Sequence, residues 1–101
     1  MPAAAVVAAA SLTLAGCGGP ASTSTDGKTI FSDAGCGSCH SLDAAGSDGG
    51  SGPDLTNLKV SADVVAEQVT NGGGGMPSFK GRLTDEQIQA VAKFVAANDG
   101  S

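Results

Sequence analysis

Cys36-Gly37-Ser38-Cys39-His40 gathers two of the chain's three thiols and its single histidine into five residues. C-x-x-C-H is the attachment spacing for c-type haem: both thiols add to the vinyl groups, and the adjacent imidazole lies under the ring to ligate iron. Small Gly37 and Ser38 suit the tight turn this needs. Two other chemistries compete. A redox dithiol would sit in a βαβ pattern, and no run of alternating β-branched residues flanks the pair. A zinc site from Cys36, Cys39, His40 and Cys17 has the right donor types, yet neighbouring Cys39 and His40 would strain to reach one ion together. One covalent haem c is the leading reading.

A second axial donor must be soft or an imidazole. There is no second histidine and Met1 opens an apolar leader, so Met76 is the strong candidate. It follows His40 by 36 residues in Gly72-Gly73-Gly74-Gly75-Met76-Pro77, where glycines permit positive φ and Pro77 stiffens the exit. The alternative is a methionine filling a core gap; the glycine run and loop context favour the ligand.

Helices must position these groups. Thr84 with Gln87 reads as a capping box, with Leu83 and Ile88 as its hydrophobic staple. Asp85 and Glu86 suit the positive first turn. Ile88, Val91, Ala92 and Val95 recur at helical spacing, and Phe94 flanks the stripe. A middle helix starts at Ser61, with a staple from Val60 to Val65, and ends by Gly72; Val64, Val65 and Val69 cover one side. Three short helices and no credible strand predict an all-α class. Ala45 to Gly52 reads as a glycine-rich surface loop.

Composition constrains what these helices enclose. The chain has 101 residues, enough for one small domain. Of the 85 residues from Cys17 onward only 15 are Val, Leu, Ile or Phe, and there is no Trp or Tyr. That is about 18%, at the edge of the disordered class, so a body other than side chains is expected to fill the core. The formal charge of −5, with scattered Lys28, Lys59, Lys80, Arg82 and Lys93, argues against nucleic acid.

Residues 1–16 read as a signal peptide: an uncharged small-apolar run too short to span a bilayer. Leu14-Ala15-Gly16-Cys17 resembles the lipobox of bacterial lipoproteins, although no Lys or Arg precedes the run. A lipidated Cys17 would account for the odd cysteine. Residues 17–25 then form the lipid-bearing, Gly/Pro/Ser/Thr-rich tether, and 26–101 the folded domain.

Taken together, the chain resembles the small bacterial class I monohaem cytochromes c, in a lipoprotein-anchored form, from about Asp26 to Ala97. Asp26-Gly27-Lys28-Thr29-Ile30-Phe31 resembles the family's N-terminal helix, with Gly27 and Phe31 packing on the last helix. Gly52-Pro53-Asp54-Leu55 resembles the segment in which the proline carbonyl orients the ligand histidine; the resemblance thus gives Pro53 that role and packs Leu55 on haem. It implies three to four short helices wrapped around one haem, with His40 and Met76 on iron. It also implies a monomeric single-electron carrier, not an enzyme, lipid-anchored on the outer face of the cytoplasmic membrane. Its partner would be a membrane-bound terminal oxidase or quinol-oxidising complex. A weak peroxidase or diatomic gas sensor with a labile Met76 is the alternative. The exposed haem edge is expected at Gly37, Ser38, Pro77, Ser78 and Phe79. Arg82, Asn57, Ser78 and Lys59 are candidates for the propionates.

Overall fold

The computed structural model describes residues 22–101; the apolar leader and Cys17 lie outside them. Helix α1 spans Gly27–Asp33, α2 Ala62–Asn71 and α3 Asp85–Asn98. Each opens on a side-chain cap that satisfies an otherwise orphaned N–H. The Asp26 carboxylate accepts from Thr29 N at 3.1 Å and from Thr29 Oγ1 at 2.8 Å. These bonds, the hydroxyl's first, hold the Asp26 carboxyl below its ordinary range. Ser61 Oγ accepts from Val64 N at 3.3 Å. Thr84 Oγ1 accepts from Gln87 N at 3.1 Å while Gln87 Oε1 accepts from Thr84 N at 2.9 Å, completing the expected capping box.

The helices meet through α3, which packs against both α1 and α2. Gly27 lies against α3 so closely that a Cβ there would collide with the Ala90 carbonyl oxygen and stand 2.7 Å from Phe94 Cβ. One turn on, the Phe31 and Phe94 rings meet edge to face at 5.8 Å and 63°. The expected approach of Gly27 and Phe31 to the last helix is therefore present. On α3 the buried residues are Gln87, Ile88, Val91, Ala92 and Val95, the expected stripe plus Gln87. On α2 they are Ala66 and Val69.

The all-α expectation needs a small correction. Strand β1, Ser41–Leu42, pairs antiparallel with β2, Ser47–Asp48. A 3-10 turn over Asp43–Ala45 joins them, and Gly46 reverses the chain at φ 63°. Two residues per strand leave no alternation for a sequence pattern to show, and the ladder is fixed by the side chain of one of its own residues, Ser47. Ser47 Oγ donates to His40 O at 2.9 Å and accepts from Leu42 N at 3.0 Å. The segment expected to be a plain surface loop thus carries β2 and folds back on the cysteine turn.

At the other end of the domain, Asp99 closes the chain on itself. Its fully buried side chain accepts from Val60 N at 3.0 Å and from Ser101 N at 3.0 Å, and from the Ser101 hydroxyl. Burial alone would raise this carboxyl, but the bonds from Ser101 and Val60 together hold it below the ordinary range. The adjoining Lys59 is held at φ 56°, the one non-glycine with positive φ among the described residues, and its N–H donates to Asp99 O at 2.9 Å. The loop from Leu55 to Val60 is thereby fixed to the end of α3.

Candidate functional site

Between the helices and the 51–60 and 72–79 segments lies a cavity of about 590 Å³, within the size range of cofactor sites. Phe31, Leu55, Leu58, Val60, Val65, Val69, Phe79, Val91 and Val95 form most of its wall. Cys36, Cys39 and His40 reach it from one segment, and Met76 reaches it from another. No Asp, Glu, Lys or Arg lines it. Val64 is on the wall and 54% exposed, the one large apolar side chain so exposed among the described residues.

The cysteine turn begins where α1 stops. Gly35 takes φ 81°, which reverses the chain directly after the helix. Cys36–Ser38 then forms one 3-10 turn, with His40 N donating to Cys36 O at 3.0 Å. The Cys36 sulfur is a free thiol, and burial pushes it up to about 11. A protonated, desolvated thiol is a poor nucleophile and a poor metal ligand at neutral pH, which weakens the dithiol reading. The described residues contain no group of three or more His, Cys, Asp or Glu placed to hold a metal ion. Cys17, the fourth donor of the zinc alternative and the proposed lipidation site, lies outside them.

His40 Nδ1 stands 2.8 Å from the Pro53 carbonyl oxygen. A carbonyl only accepts, so Nδ1 carries the proton and Nε2 keeps its lone pair for a ligand. Gly52 makes this approach possible: a Cβ at residue 52 would stand 2.6 Å from His40 Cε1 and 2.8 Å from Nδ1. The peptide is pinned there by Gly52 N donating to Cys39 O at 2.7 Å. Leu55 is buried on the cavity wall, and Leu55 N donates to Ser41 O at 2.8 Å. Below it Asp54 accepts from Thr56 N and from Ser41 Oγ, which hold its carboxyl below the ordinary range.

Met76 is presented by a hairpin of two central residues. Gly73 N donates to Met76 O at 2.8 Å and Met76 N to Gly73 O at 3.1 Å, while Gly74 and Gly75 take φ 62° and 92°. Positive φ at both central positions is the type I′ signature and favours glycine. Gly72 is needed for another reason, since a Cβ there would stand 2.6 Å from both Met76 O and Ser78 N. Beyond Met76 the chain is fastened to α2 by Ser78 Oγ donating to Thr70 O at 2.6 Å and Phe79 N to Val69 O at 2.9 Å.

Two contributors escape sequence reading. Gln68 Nε2 donates to Gly73 O at 3.3 Å and lies 3.8 Å from Met76 Sδ as a donor to the thioether. Its only sequence signal is a polar residue one turn from Val64 on an otherwise apolar wall. Gly52 is visible as half of a Gly-Pro pair, but its contact with His40 is made through space.

Other expectations are redistributed. Pro77 lines the cavity, but Phe79 is 2% exposed and belongs to the core, so it is no part of an exposed edge. Gly37 and Ser38 are not on the cavity wall; they border a separate surface depression with Lys28 and Ser32. Arg82, Asn57, Ser78 and Lys59 are also absent from the wall. Arg82 stacks 4.8 Å over the Phe79 ring from behind.

An apolar cage with a C-x-x-C-H turn on one segment and a glycine-hairpin methionine on another defines a class: small helical domains built around a flat apolar group. The family model described as cytochrome c oxidase, cbb3-type, subunit III matches residues 22–95. Cytochrome c6 of Leptolyngbya boryana is 40% identical over 73 residues, covering 68% of this chain and 85% of that protein. Cytochrome c6 of Microcystis aeruginosa is 44% identical over 85 residues, 71% of this chain and 93% of the relative. The menaquinol:cytochrome c reductase cytochrome c subunit of Bacillus subtilis is 34% identical over 76 residues, with 28% of that longer subunit covered. The crystal structure of the c-type cytochrome SorU from Sinorhizobium meliloti superposes with a TM-score of 0.69 at 42% identity, over 74% of this chain and 88% of that one.

The chain belongs to the cytochrome c family, as a small monohaem member with that family's fold. Its cofactor is covalently bound haem c. The residues present fit the group, because the wall is apolar, both cysteines of the motif reach it, and Pro53 holds the histidine tautomer that ligation would require.

Proposed function

We propose that this c-type cytochrome of the electron-carrying kind is a monomeric single-electron carrier whose haem is held through Cys36 and Cys39 and ligated by His40 and Met76. Bound haem supplies a one-electron Fe(III)/Fe(II) couple. The protein's part is to fix both axial donors, exclude water and leave one edge accessible. The observation that carries this reading is the pairing of His40, held by Pro53 O at 2.8 Å, with Met76 on the hairpin across one apolar cavity. Pro53 orients the imidazole through its carbonyl, and Leu55, on the cavity wall, would pack on the macrocycle. With His40 and Met76 both holding iron, no position would remain for a substrate, which is the ground for proposing a carrier and not an enzyme. The peroxidase alternative needs an acid or base beside the open iron, and no carboxylate, Arg, Lys or second imidazole lines the described cavity.

The lipobox at Leu14–Cys17 supports export and lipidation of Cys17, which places the domain on the outer face of the cytoplasmic membrane. Partners there would be membrane-bound: a terminal oxidase or a quinol-oxidising complex, in keeping with the names of the matched family and of the B. subtilis relative. Tethering raises the effective concentration for such partners. The test of the ligand set is Met76→Ala in the holoprotein. The reduced-minus-oxidised spectrum should change, the potential should fall, and the reduced protein should now bind carbon monoxide at neutral pH. An unchanged spectrum and potential would remove Met76 as the ligand.

A further inference from the structure

The residues just before α1 are docked on the domain, not free of it. Ser22 to Thr25 read from composition as part of a flexible tether, yet Ser22 is buried and Gln87 Nε2 donates to both Ser22 O and Ser24 O at 2.7 Å. Ser22 Oγ donates to Asp33 Oδ2 at 2.9 Å at the far end of α1. Two further turns stitch the segment along its length, Ser24 N to Ser22 Oγ at 3.0 Å and Asp26 N to Ser24 Oγ at 2.9 Å. Every polar atom of the Gln87 amide is therefore committed. Its oxygen closes the capping box on Thr84, and its two hydrogens hold the strap.

That division of labour distinguishes Gln from Glu. Either residue serves as N3 of a capping box, but a carboxylate has no hydrogen to give. Glutamate at 87 would keep the cap and turn its second oxygen towards two carbonyl oxygens. Capping alone does not require an amide here; the strap does.

We propose that Gln87 latches residues 22–26 to the domain, so that an anchor at Cys17 holds the end formed by Asp33 and Thr84–Gln87 towards the bilayer and leaves the cavity mouth clear of it. This rests on the lipid-anchor reading of Cys17. The docked strap leaves five Cα steps between Cys17 and Ser22, a reach of at most about 18 Å whatever their conformation, against about 28 Å for an eight-residue tether ending at Thr25. None of residues 22–26, 33 or 84–87 lines the cavity. The point of attachment is thus fixed beside the site without obstructing it, and Gln87 is a positioning residue for the haem relative to the membrane.

The test does not depend on native lipidation. In the mature holoprotein Cys36 and Cys39 are thioethers, so Cys17 is the one thiol available for coupling to maleimide-headgroup lipid in phosphatidylcholine vesicles. Energy transfer from a headgroup fluorophore to the haem then reports its distance from the bilayer, and hydrogen exchange at Ser24 and Asp26 amides reports the strap. Wild type should give one narrow distance and protected amides. Gln87→Glu, with the whole capping box retained, and Gln87→Met, with the side-chain half of the box and the latch both lost, should each broaden the distance distribution and raise exchange at both amides at least tenfold. If Gln87→Glu matches wild type while only Gln87→Met differs, the cap and not the latch is responsible and the proposal is overturned. It is equally overturned if both variants match wild type. Failure of the lipid-anchor reading shows separately, as unmodified Cys17 by mass in protein recovered from cells.

Discussion

Gly52 and Gln68 act on the two proposed iron ligands from behind, and each can be removed without touching a ligand. With Gly52→Ala the new methyl would stand 2.6 Å from His40 Cε1, too close for either group to stay, and a fixed peptide leaves the imidazole to move. His40 should lose its bond to Pro53 O, loosening the ring's orientation and lowering its basicity. The holoprotein is expected to melt earlier and to show a weakened proximal bond by resonance Raman scattering; an unchanged iron–histidine stretch would refute this. At Gln68, the N–H donated to Met76 Sδ draws electron density from the thioether and, with Met76 on iron as proposed, would favour Fe(II) over Fe(III). A hydrogen bond worth about 0.5–1.5 kcal/mol corresponds to about 20–60 mV for a one-electron couple. Gln68→Leu should lower the potential by that amount in protein-film voltammetry, with the spectrum of a Met-ligated haem retained. A rise, or a shift below 10 mV, would show that the donor does not act on the ligand.

At the scale of elements, the three helices were legible because their signals are local. Asp26, Ser61 and Thr84 each sit three residues before the N–H they cap, and the α3 stripe repeats at helical spacing. The C-x-x-C-H turn and the methionine in its glycine run were legible for the same reason. What escaped depends on partners distant in sequence: Ser47 reaching back to His40 O, Gln87 reaching across 65 residues to Ser22, and Asp99 reaching across 39 to Val60. Asp99 shows what such a link is worth. Its removal in Asp99→Ala leaves the half-buried Val60 N–H without its acceptor, a cost of about 1 kcal/mol, and loosens the wall loop from α3. Because the native carboxyl sits below its ordinary range, the unfolded state binds the proton first as pH falls. Asp99's contribution is therefore complete above about pH 4 and is lost as acid passes through the native value. Denaturant titrations should find the wild type and Asp99→Ala furthest apart at neutral pH and converging as the pH falls below the ordinary carboxylate range. A constant difference across that range would show that the charge plays no part.

For the molecule as a whole, composition and fold pull in opposite directions until haem is counted. A mature segment with about 18% large apolar residues sits where chains fail to fold, yet it carries complete helix caps and a fully buried Ile30, Leu42 and Ala92. The cavity of about 590 Å³ reconciles the two. Uncovered, an apolar wall of this extent would stand against water, and that cost falls on a small margin. A domain of this size commands only about 4–12 kcal/mol in total. The side chains thus form a wall and the haem is the interior they enclose. Haem removal should therefore abolish the fold and not merely the colour. The variant Cys36→Ser/Cys39→Ser, unable to form thioethers, is expected to show a coil-like far-UV spectrum and no cooperative melt, whereas the holoprotein shows both helix and a sharp transition. A helical, cooperatively melting apo-protein would mean that the polypeptide closes the cavity by itself and that the haem is a guest in a finished fold.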